Sequence, residues 1–336
     1  MKAIQFFLVL LIFYTGFIPL NAKIFTSEKS VILDTDIGPD YDDVGALAIL
    51  HALADKGEVK ILATISSNRY KNSVPCIEII NTYYHRSSIP IAKPSKGLDI
   101  QDSRFLGKID YWAEKLSSEY FHNFASSMEA PDAVILYRKI LSGQPDSSIT
   151  IISTGFFTNL AALLESPPDE WSPLNGRDLV AKKVKKLVSM AGGFPEGKEF
   201  NVYSDVKSSK MVLERWPTPL LLCGFEIGNS IYTGKALQNS RMKNNPVKEV
   251  YSICMKTDMQ GRPSWDPITV LFAVRESKKY FDTEKGRMLV FDDGRDKWIP
   301  DPSGPHEHIL LKISPKKLRK ILESLMVYQP SEFPVI

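Results

Sequence analysis

The stretch VILDTDIGPDYDDVGALAIL, residues 31–50, joins two apolar runs through ten positions that hold five aspartates. VILDTD at residues 31–36 predicts a buried β-strand, and DDVGALAILHALA at residues 42–54 predicts a helix. Carboxylates this close repel one another, and ionising all of them is costly unless a positive charge lies among them. The stretch therefore predicts a strand that ends at a cation site.

The same strand–helix pattern continues along the chain. Short runs rich in Val, Ile and Leu alternate with amphipathic helical patterns, which is typical of an α/β fold with a mostly parallel central sheet and helices on both faces. In such open, Rossmann-like sheets the ligand binds at the carboxyl ends of the strands. Further strands are predicted at 59–67, 89–94, 147–155, 184–193 and 218–228, a helix at 72–86, and a final strand and amphipathic helix within 307–326.

Composition is that of an ordinary globular protein. The 336 residues are 43% hydrophobic and 24% charged, with a formal net charge of +3. The one tight basic run, KKVKK at Lys182–Lys186, is interpreted as a solvated approach to a strand. We therefore expect no nucleic-acid partner.

The N-terminus has the features of a secretory signal peptide. Lys2 is followed by an apolar stretch without charge until Lys23, and the small residue Ala22 suits a cleavage site. The run is almost long enough for a membrane anchor, but Gly16 and Pro19 favour cleavage. We expect a signal peptide at 1–22, a single catalytic domain at 23–336, and export to the periplasm or medium without stable membrane insertion.

The three cysteines, Cys76, Cys223 and Cys254, form neither a disulfide framework nor a metal-binding spacing. They allow one bridge at most, and buried free thiols are the favoured state.

Polar residues follow four of the predicted strands. The strand at 31–36 ends in the aspartate cluster and the strand at 59–67 in Ser66-Ser67-Asn68. The strand at 147–155 ends near Thr154, and the chain after the strand at 184–193 continues to Glu199 and Asn201. Because the carboxyl ends of parallel strands share one edge of a sheet, these side chains are expected to converge on one site.

The aspartate cluster predicts a hard cation. Several carboxylates without interleaved His or Cys suit Ca²⁺ or Mg²⁺ rather than zinc, and the spacing is not that of an EF-hand. Asp34 and Asp36 lie two positions apart at the end of the strand, and we expect only one of them to face a given ion. Asp42 and Asp43 would also be favoured simply as acids at a helix N-terminus, but this does not explain Asp36 and Asp40.

Two enzyme classes use an aspartate-rich first strand. DTDIG at 34–38 superficially matches the D-x-D motif of haloacid-dehalogenase-like, Mg²⁺-dependent phosphatases, and FDDGRD at 291–296 could supply their acidic pair. The late position of that pair in the chain is awkward for this interpretation.

Four segments in order resemble the nucleoside hydrolases of the inosine–uridine-preferring family, over residues 31–275. They are VILDTDIGPDYDDVGALAIL at 31–50, STGFFTNLAALL at 153–164, SMAGGFPEGKEFNVYSD at 189–205 and SWDPITVLFAV at 264–274. The resemblance implies hydrolysis of the N-glycosidic bond of a small-molecule nucleoside or riboside to ribose and free base. It also implies a homo-oligomer, although no interface is legible, and with export it suggests purine or pyrimidine salvage.

The resemblance implies a bound Ca²⁺ and a set of roles. Asp36, Asp43 and Asp266 would bind the ion through their side chains and Thr154 through its carbonyl, while Asp42 would be the general base for the attacking water. Substrate contacts are implied for Asn68, Glu199 and Asn201 with the ribose hydroxyls, Met190 under the sugar, and Trp265 beside the base.

Two departures from the family pattern leave alternatives open. The first motif is two residues longer than usual, which makes Asp40 an extra acid and a second candidate for the base. Trp265 stands where well-studied members carry a His that helps the nucleobase leave, and Trp can stack on a base but not protonate it. A calcium- and ribose-binding relative without turnover is therefore the non-enzyme alternative.

Overall fold

The computed structural model describes residues 28–101, 111–276 and 278–330. The predicted signal peptide at 1–22 lies outside these residues. The fold is built on the strand at the start of the aspartate stretch, which pairs in parallel with a strand on each side. The strands are β1 Lys29–Thr35, β2 Val59–Ser66, β3 Ile91–Ala92, β4 Ile149–Thr154, β5 Val184–Met190, β6 Glu196–Gly197, β7 Leu220–Cys223, β8 Tyr232–Thr233, β9 Arg262–Pro263, β10 Phe281–Val290, β11 Asp296–Pro300 and β12 His306–Leu311.

Ten of the described strands form one mixed sheet in the order β3-β2-β1-β4-β5-β7-β12-β10-β11-β6. From β3 to β12 every neighbouring pair is parallel, and β10, β11 and β6 extend the sheet antiparallel. Strands β8 and β9 pair separately. The prediction of a mostly parallel central sheet is confirmed.

Helices cover both faces of the sheet. On β1, Val31 and Leu33 belong to one apolar core and Ile32 to the other, as strand alternation requires. Helices α1, α2, α11, α12 and α13 contribute to the first core and α4, α5, α6 and α8 to the second. The helices are α1 Asp42–Asp55, α2 Ser73–Tyr83, α3 Trp112–Glu119, a 3₁₀ helix Ser127–Glu129, α4 Ala133–Ser142, α5 Thr158–Glu165, α6 Gly176–Lys183, α7 Phe200–Ser204, α8 Val206–Arg215, α9 Phe225–Asn229, α10 Lys235–Asn239, α11 Pro246–Cys254, α12 Trp265–Arg275 and α13 Pro315–Met326.

The predicted strand at 218–228 is wrong beyond Cys223. Strand β7 ends at Cys223, opposite the last residue of β5, and the chain then turns through Gly224 into α9. Periodicity cannot separate a buried strand from a buried helical turn in a continuous apolar run. The consequence matters for the site, because the turn brings the ring of Phe225 to a cavity.

The structure also bears on the predictions for the cysteines and for the basic run. All three cysteines are buried and free, as predicted. The basic run is not wholly solvated, since Lys186 is buried and pairs with Glu276. Within the described residues, no helix has both the length and the apolar character needed to cross a bilayer.

Candidate active site

The carboxyl ends of three parallel strands open into one cavity. Asp36 follows β1, Thr154 ends β4 and Met190 ends β5. The strands approach closely there, and a Cβ at Gly155 would lie 2.7 Å from that of Asp36. The cavity is open to solvent, with a volume of about 470 Å³ that includes its mouth. It is lined by Asp36, Asp40, Asp42, Thr154, Met190, Glu199, Phe200, Asn201, Phe225, Arg262, Trp265 and Asp266.

A cluster of three carboxylates adjoins this cavity, and two of them, Asp40 and Asp266, line it. One carboxylate oxygen from each of Asp40, Asp43 and Asp266 lies within 4.8 Å of the others. Asp43 accepts a hydrogen bond from the hydroxyl of Thr35 through Oδ1, and its Oδ2 is buried without a hydrogen-bond partner. A buried carboxylate oxygen without a donor is costly unless a cation completes its surroundings.

The electrostatics of the cluster point the same way. Burial raises the pKa of Asp43 to about 7, with Asp40 adding to the shift. Burial and the neighbouring carboxylates raise the pKa values of Asp36 and Asp266 well above the usual range. These groups resist ionisation together, so a divalent cation would relieve an unfavourable interaction that the fold builds in.

Asp42 links the N-terminus of α1 to that of α12. Its Oδ2 accepts the backbone N–H groups of Trp265 and Asp266, both at 3.1 Å, which are orphan donors at the start of α12. Its Oδ1 accepts Nε of Arg262 at 2.9 Å. Burial and Asp40 raise the pKa of Asp42, while Arg262 lowers it.

Asp34 is directed at helices α4 and α5 and does not line the cavity. It is fully buried, accepts the Tyr137 hydroxyl at 2.8 Å, and accepts the Asn159 amide at 3.1 Å. Asp36 lines the cavity and Asp34 does not, as expected. Strand alternation is not the reason, because residues two apart in a strand share a face; β1 ends at Thr35, and Asp36 lies beyond it. A phosphatase nucleophile at Asp34 has no support in this geometry, because the group does not line the cavity.

Three of the residues expected to contact the sugar line one wall. Glu199 caps α7 and accepts the backbone N–H groups of Asn201 at 2.9 Å, Val202 at 3.1 Å and Gly192 at 3.3 Å. Burial raises the pKa of Glu199 to about 7, although these three hydrogen bonds act to lower it. The Asn201 amide donates to the carbonyl of Met190 at 3.1 Å, which ties the two residues together.

Asn68 has a different position. Its amide nitrogen donates to the carbonyls of Asp36 at 3.1 Å and Ile100 at 2.7 Å. Its amide oxygen accepts the N–H groups of Tyr70 and Ile100. Asn68 therefore holds the backbone after β1 and is not among the residues that line the cavity. Its predicted contact with ribose stays a prediction.

An aromatic wall stands at the exposed side of the cavity. The rings of Phe225 and Trp265 stack with centroids 5.3 Å apart, and the indole Nε1 donates to the carbonyl of Phe225 at 2.8 Å. The Arg262 guanidinium lies 5.0 Å from the Trp265 ring and 5.2 Å from the Tyr41 ring. It also pairs with Asp40, so the extra acid of the first motif has a defined partner.

The model of the inosine-uridine preferring nucleoside hydrolase family matches residues 31–319. The chain belongs to this family. It is a hydrolase that acts on N-glycosyl bonds, and the family is metal-dependent, in agreement with the carboxylate cluster. The resemblance inferred from four motifs is confirmed.

Individual members of the family are distant. The pyrimidine-specific ribonucleoside hydrolase RihA of Enterobacter sp. (strain 638) is 25% identical over 266 residues, which cover 73% of this chain and 79% of that protein. The structure of the purine-preferring ribonucleoside hydrolase from Gardnerella vaginalis superposes with a TM-score of 0.68 at 18% identity, covering 89% of this chain and 98% of that one. The plant nucleoside hydrolase PpNRh1 gives a TM-score of 0.64 at 21% identity, with the same coverage of 89% and 98%. These superpositions establish the fold.

Sequence reasoning missed three residues of this nucleoside hydrolase. Arg262 could have been predicted from the sequence. It is a cation three residues before Trp265, in a segment that was expected to lie beside the aspartate cluster. Phe225 was hidden by the mistaken strand prediction at 218–228. Asp296 supports Glu199 by accepting its backbone N–H at 2.9 Å, and nothing in the local sequence marks that contact.

Proposed function

We propose that this nucleoside hydrolase uses Ca²⁺ to split ribonucleosides into ribose and free base, with Asp42 as the general base. The observation that carries the proposal is a set of buried acids at one cavity: Asp36, Asp42 and Asp266 line it, and Asp43 clusters with Asp266. Metal, base and sugar contacts would then share one site.

The residues present fit a calcium ion. Asp36, Asp43 and Asp266 with the carbonyl of Thr154 would hold it, the unpartnered Oδ2 of Asp43 offers a ready ligand atom, and Asp40 completes the acidic cluster. Calcium accepts six to eight oxygen ligands in irregular geometry, whereas magnesium demands a near-ideal octahedron. When bound, the ion offsets the carboxylate charges and lowers the pKa of a coordinated water.

Asp42 is suited to take the proton of the attacking water. A carboxylate offers about four lone-pair sites, and the three N–H donors from Arg262, Trp265 and Asp266 leave one of them for the cavity. The same donors fix the orientation of the group. Burial raises its pKa, and a raised pKa makes a carboxylate a stronger base.

The sugar wall would stabilise the ribosyl cation that forms as the bond breaks. Carboxylates close to the anomeric carbon favour an oxocarbenium-like transition state. Glu199 and Asn201 line the cavity beside Met190, which supports contacts with the ribose hydroxyls and with the face of the sugar. Asn68 would position Asp36 through its hydrogen bond to the Asp36 carbonyl.

The test is ribose release from a panel of ribonucleosides, with bound calcium measured on the same samples. The variants are Asp42→Asn and Asp36→Asn, with Asp292→Asn as the matched control because its carboxylate is 98% exposed. We expect wild type and control to release ribose and to lose this activity with chelator. Asp42→Asn should keep calcium and lose turnover by about 100-fold or more, as expected for a missing general base. Asp36→Asn should lose calcium.

Other outcomes would contradict specific parts of this proposal. If Asp36→Asn keeps calcium and loses turnover, Asp36 rather than Asp42 is the base. Full activity of Asp42→Asn with loss in Asp40→Asn would assign the role to Asp40. Calcium and ribose binding without any product would establish the non-catalytic alternative that Trp265 motivates.

We also propose that the protein is exported and that residues 1–22 are removed. The support is the positive start, the apolar stretch and the small residue at position 22. Fractionation with N-terminal sequencing tests this. A cytoplasmic protein that retains its first 22 residues would contradict it.

A further inference from the structure

The cavity wall that carries Glu199 is attached to a hairpin at the far edge of the sheet. Residues 191–199 leave β5, form the short strand β6 and reach the start of α7. Strand β6 pairs with β11, and the backbone N–H of Trp298 in β11 donates to the carbonyl of Pro195 at 2.8 Å. This segment therefore takes its position from the C-terminal part of the chain and not from β5 alone.

One buried carboxylate of β11 bridges the two ends of this segment. Asp296 is 1% exposed. Its Oδ1 accepts the backbone N–H of Gly193 at 2.6 Å, and its Oδ2 accepts that of Glu199 at 2.9 Å. The two donors are 103 and 97 positions away from it in the chain. Both oxygens are used, so a side chain with a single acceptor oxygen cannot make both bonds in the same way.

The bridge holds the side chain of Glu199 as well as its backbone. Oε2 of Glu199 accepts the backbone N–H of Gly192 at 3.3 Å, directly before the residue that Asp296 holds. The packing there is close, because a Cβ at Gly193 would lie 3.0 Å from Cα of Gly197. Loss of the bridge would release both ends of the segment, and the Glu199 carboxylate with them.

The same hairpin contacts α7 through its turn. Gly294 lies between β10 and β11 with a φ of +82°, and a Cβ there would lie 2.7 Å from the Cβ of Tyr203 in α7. Asp296 itself is not among the residues that line the cavity, whereas Glu199 is. An effect of Asp296 on a bound substrate would therefore pass through Glu199.

We infer that Asp296 is a positioning residue for riboside binding, which determines where Glu199 meets one hydroxyl group of the sugar. This inference rests on the proposed hydrolase function. A displaced Glu199 weakens the contact with the hydroxyl that it holds and leaves the contacts of the other side chains in place. A site built to hydrogen-bond a hydroxyl rejects the analogue that lacks it, so this discrimination is what the bridge supplies.

The test is the variant Asp296→Asn, which keeps the volume of the side chain and one acceptor oxygen where Asp296→Ala would keep neither. Asp169→Asn is the matched control, because both oxygens of Asp169 also accept N–H bonds and the residue does not line the cavity. We expect kcat/KM for the best riboside to fall by about 10-fold in Asp296→Asn, because displacement of a contacting group by about 1 Å is costly. It should stay unchanged in Asp169→Asn.

Deoxy analogues separate this role from a general loss of stability. The 2′-, 3′- and 5′-deoxy forms of the best riboside each lack one hydroxyl, and the fall in kcat/KM relative to the parent measures the contact with it. In Asp296→Asn we expect this fall to shrink by about 10-fold for one hydroxyl, the same one as in Glu199→Ala, and to stay as in wild type for the other two. Adding Asp296→Asn to Glu199→Ala should change kcat/KM by less than about 2-fold, because residues of one network are not additive.

Three outcomes would overturn the inference: unchanged kcat/KM in Asp296→Asn, an equal change for all three deoxy analogues, or a full effect of Asp296→Asn in the Glu199→Ala background. Calorimetric binding of D-ribose to the calcium-loaded protein decides the matter without turnover. We expect Asp296→Asn, and not Asp169→Asn, to bind ribose about 10-fold more weakly. Ribose binding without cleavage of any riboside contradicts the proposed function, and the two affinities still decide the role of Asp296. Absence of both binding and cleavage in wild type contradicts both proposals.

Discussion

At the scale of single residues, Arg262 connects the acids of the cavity to its aromatic wall. Its guanidinium lies between the rings of Tyr41 and Trp265 and bonds to Asp40 and Asp42. Burial alone would lower its pKa, but the two carboxylates raise it well above the usual value. The two departures of the sequence from its family, an extra acid and a tryptophan, therefore meet at one cation.

Replacing Arg262 by Met should destabilise the protein and lower turnover. The change leaves Asp42 buried without its charge partner, so we expect the free energy of unfolding to fall by roughly 3 kcal/mol in urea titrations. Arg275→Met is the matched control, because Arg275 and Glu58 are 25% and 32% exposed and their pair should contribute about 1 kcal/mol or less. Equal losses in the two variants would contradict a special role for Arg262.

Asp34 should matter for stability and not for substrate affinity. Asp34→Ala leaves the Tyr137 hydroxyl without its acceptor and the Asn159 amide with only the Ser66 carbonyl, which costs about 1–3 kcal/mol. Adding Tyr137→Phe should restore part of this loss, because it removes one unsatisfied donor. We expect KM to stay unchanged. Lost turnover at normal stability would instead give Asp34 a chemical role.

At the scale of elements, the short helix α9 determines where the aromatic wall stands. Gly228 in α9 packs directly against the start of α12, and a Cβ there would lie 2.6 Å from Cα of Trp265. Because that neighbour is backbone, α12 or α9 would have to shift. The contact keeps the Trp265 ring beside Phe225 and its N–H directed at Asp42.

Gly228→Ala should therefore impair catalysis through packing alone. We expect KM to rise by about 10-fold, because misplacement of a contacting element by about 1 Å is costly, and stability to fall by about 1–3 kcal/mol. Gly143→Ala at the end of α4 is the control, since the nearest atom to its Cβ is 3.7 Å away. Normal KM in Gly228→Ala would show that the aromatic wall tolerates displacement.

At the scale of the whole molecule, the sheet gathers acids whose ionisation opposes folding. The folded-state pKa of Asp43 is raised to about 7 from 3.8, so the folded protein keeps a proton that the unfolded chain has lost between these values. This contribution lowers stability as pH rises from about 4 to about 7. His51 works in the opposite direction, because burial lowers its pKa to about 3.

Calcium should stabilise the protein more at pH 7.5 than at pH 5.5. The ion binds the ionised carboxylates, and taking the difference in melting temperature between calcium and chelator cancels the effect of His51. A concentration 100-fold above Kd should add about 2.7 kcal/mol at the higher pH. Magnesium at the same concentration should give a smaller shift. A calcium shift that is equal at both pH values would contradict the carboxylate cluster as the binding site.

The sequence by itself determined the features that are encoded locally. Alternating apolar runs predicted the parallel sheet, and four ordered motifs predicted the family and brought Asp36, Asp42, Thr154 and Asp266 together as candidates. Parallel strands end at the same edge of a sheet, and this is why the polar strand ends were expected to converge; the role of each residue came from the family resemblance.

Only the tertiary structure decided the contacts between residues far apart in the chain. Asp42 and Arg262 are 220 positions apart, and no local pattern pairs them. Phe225 reached the cavity because the chain leaves the sheet after Cys223, although an apolar run reads equally as strand or helix. The Asn68 amide donates to the backbone carbonyl of Asp36, because a buried amide must form hydrogen bonds with the polar groups that the fold places near it.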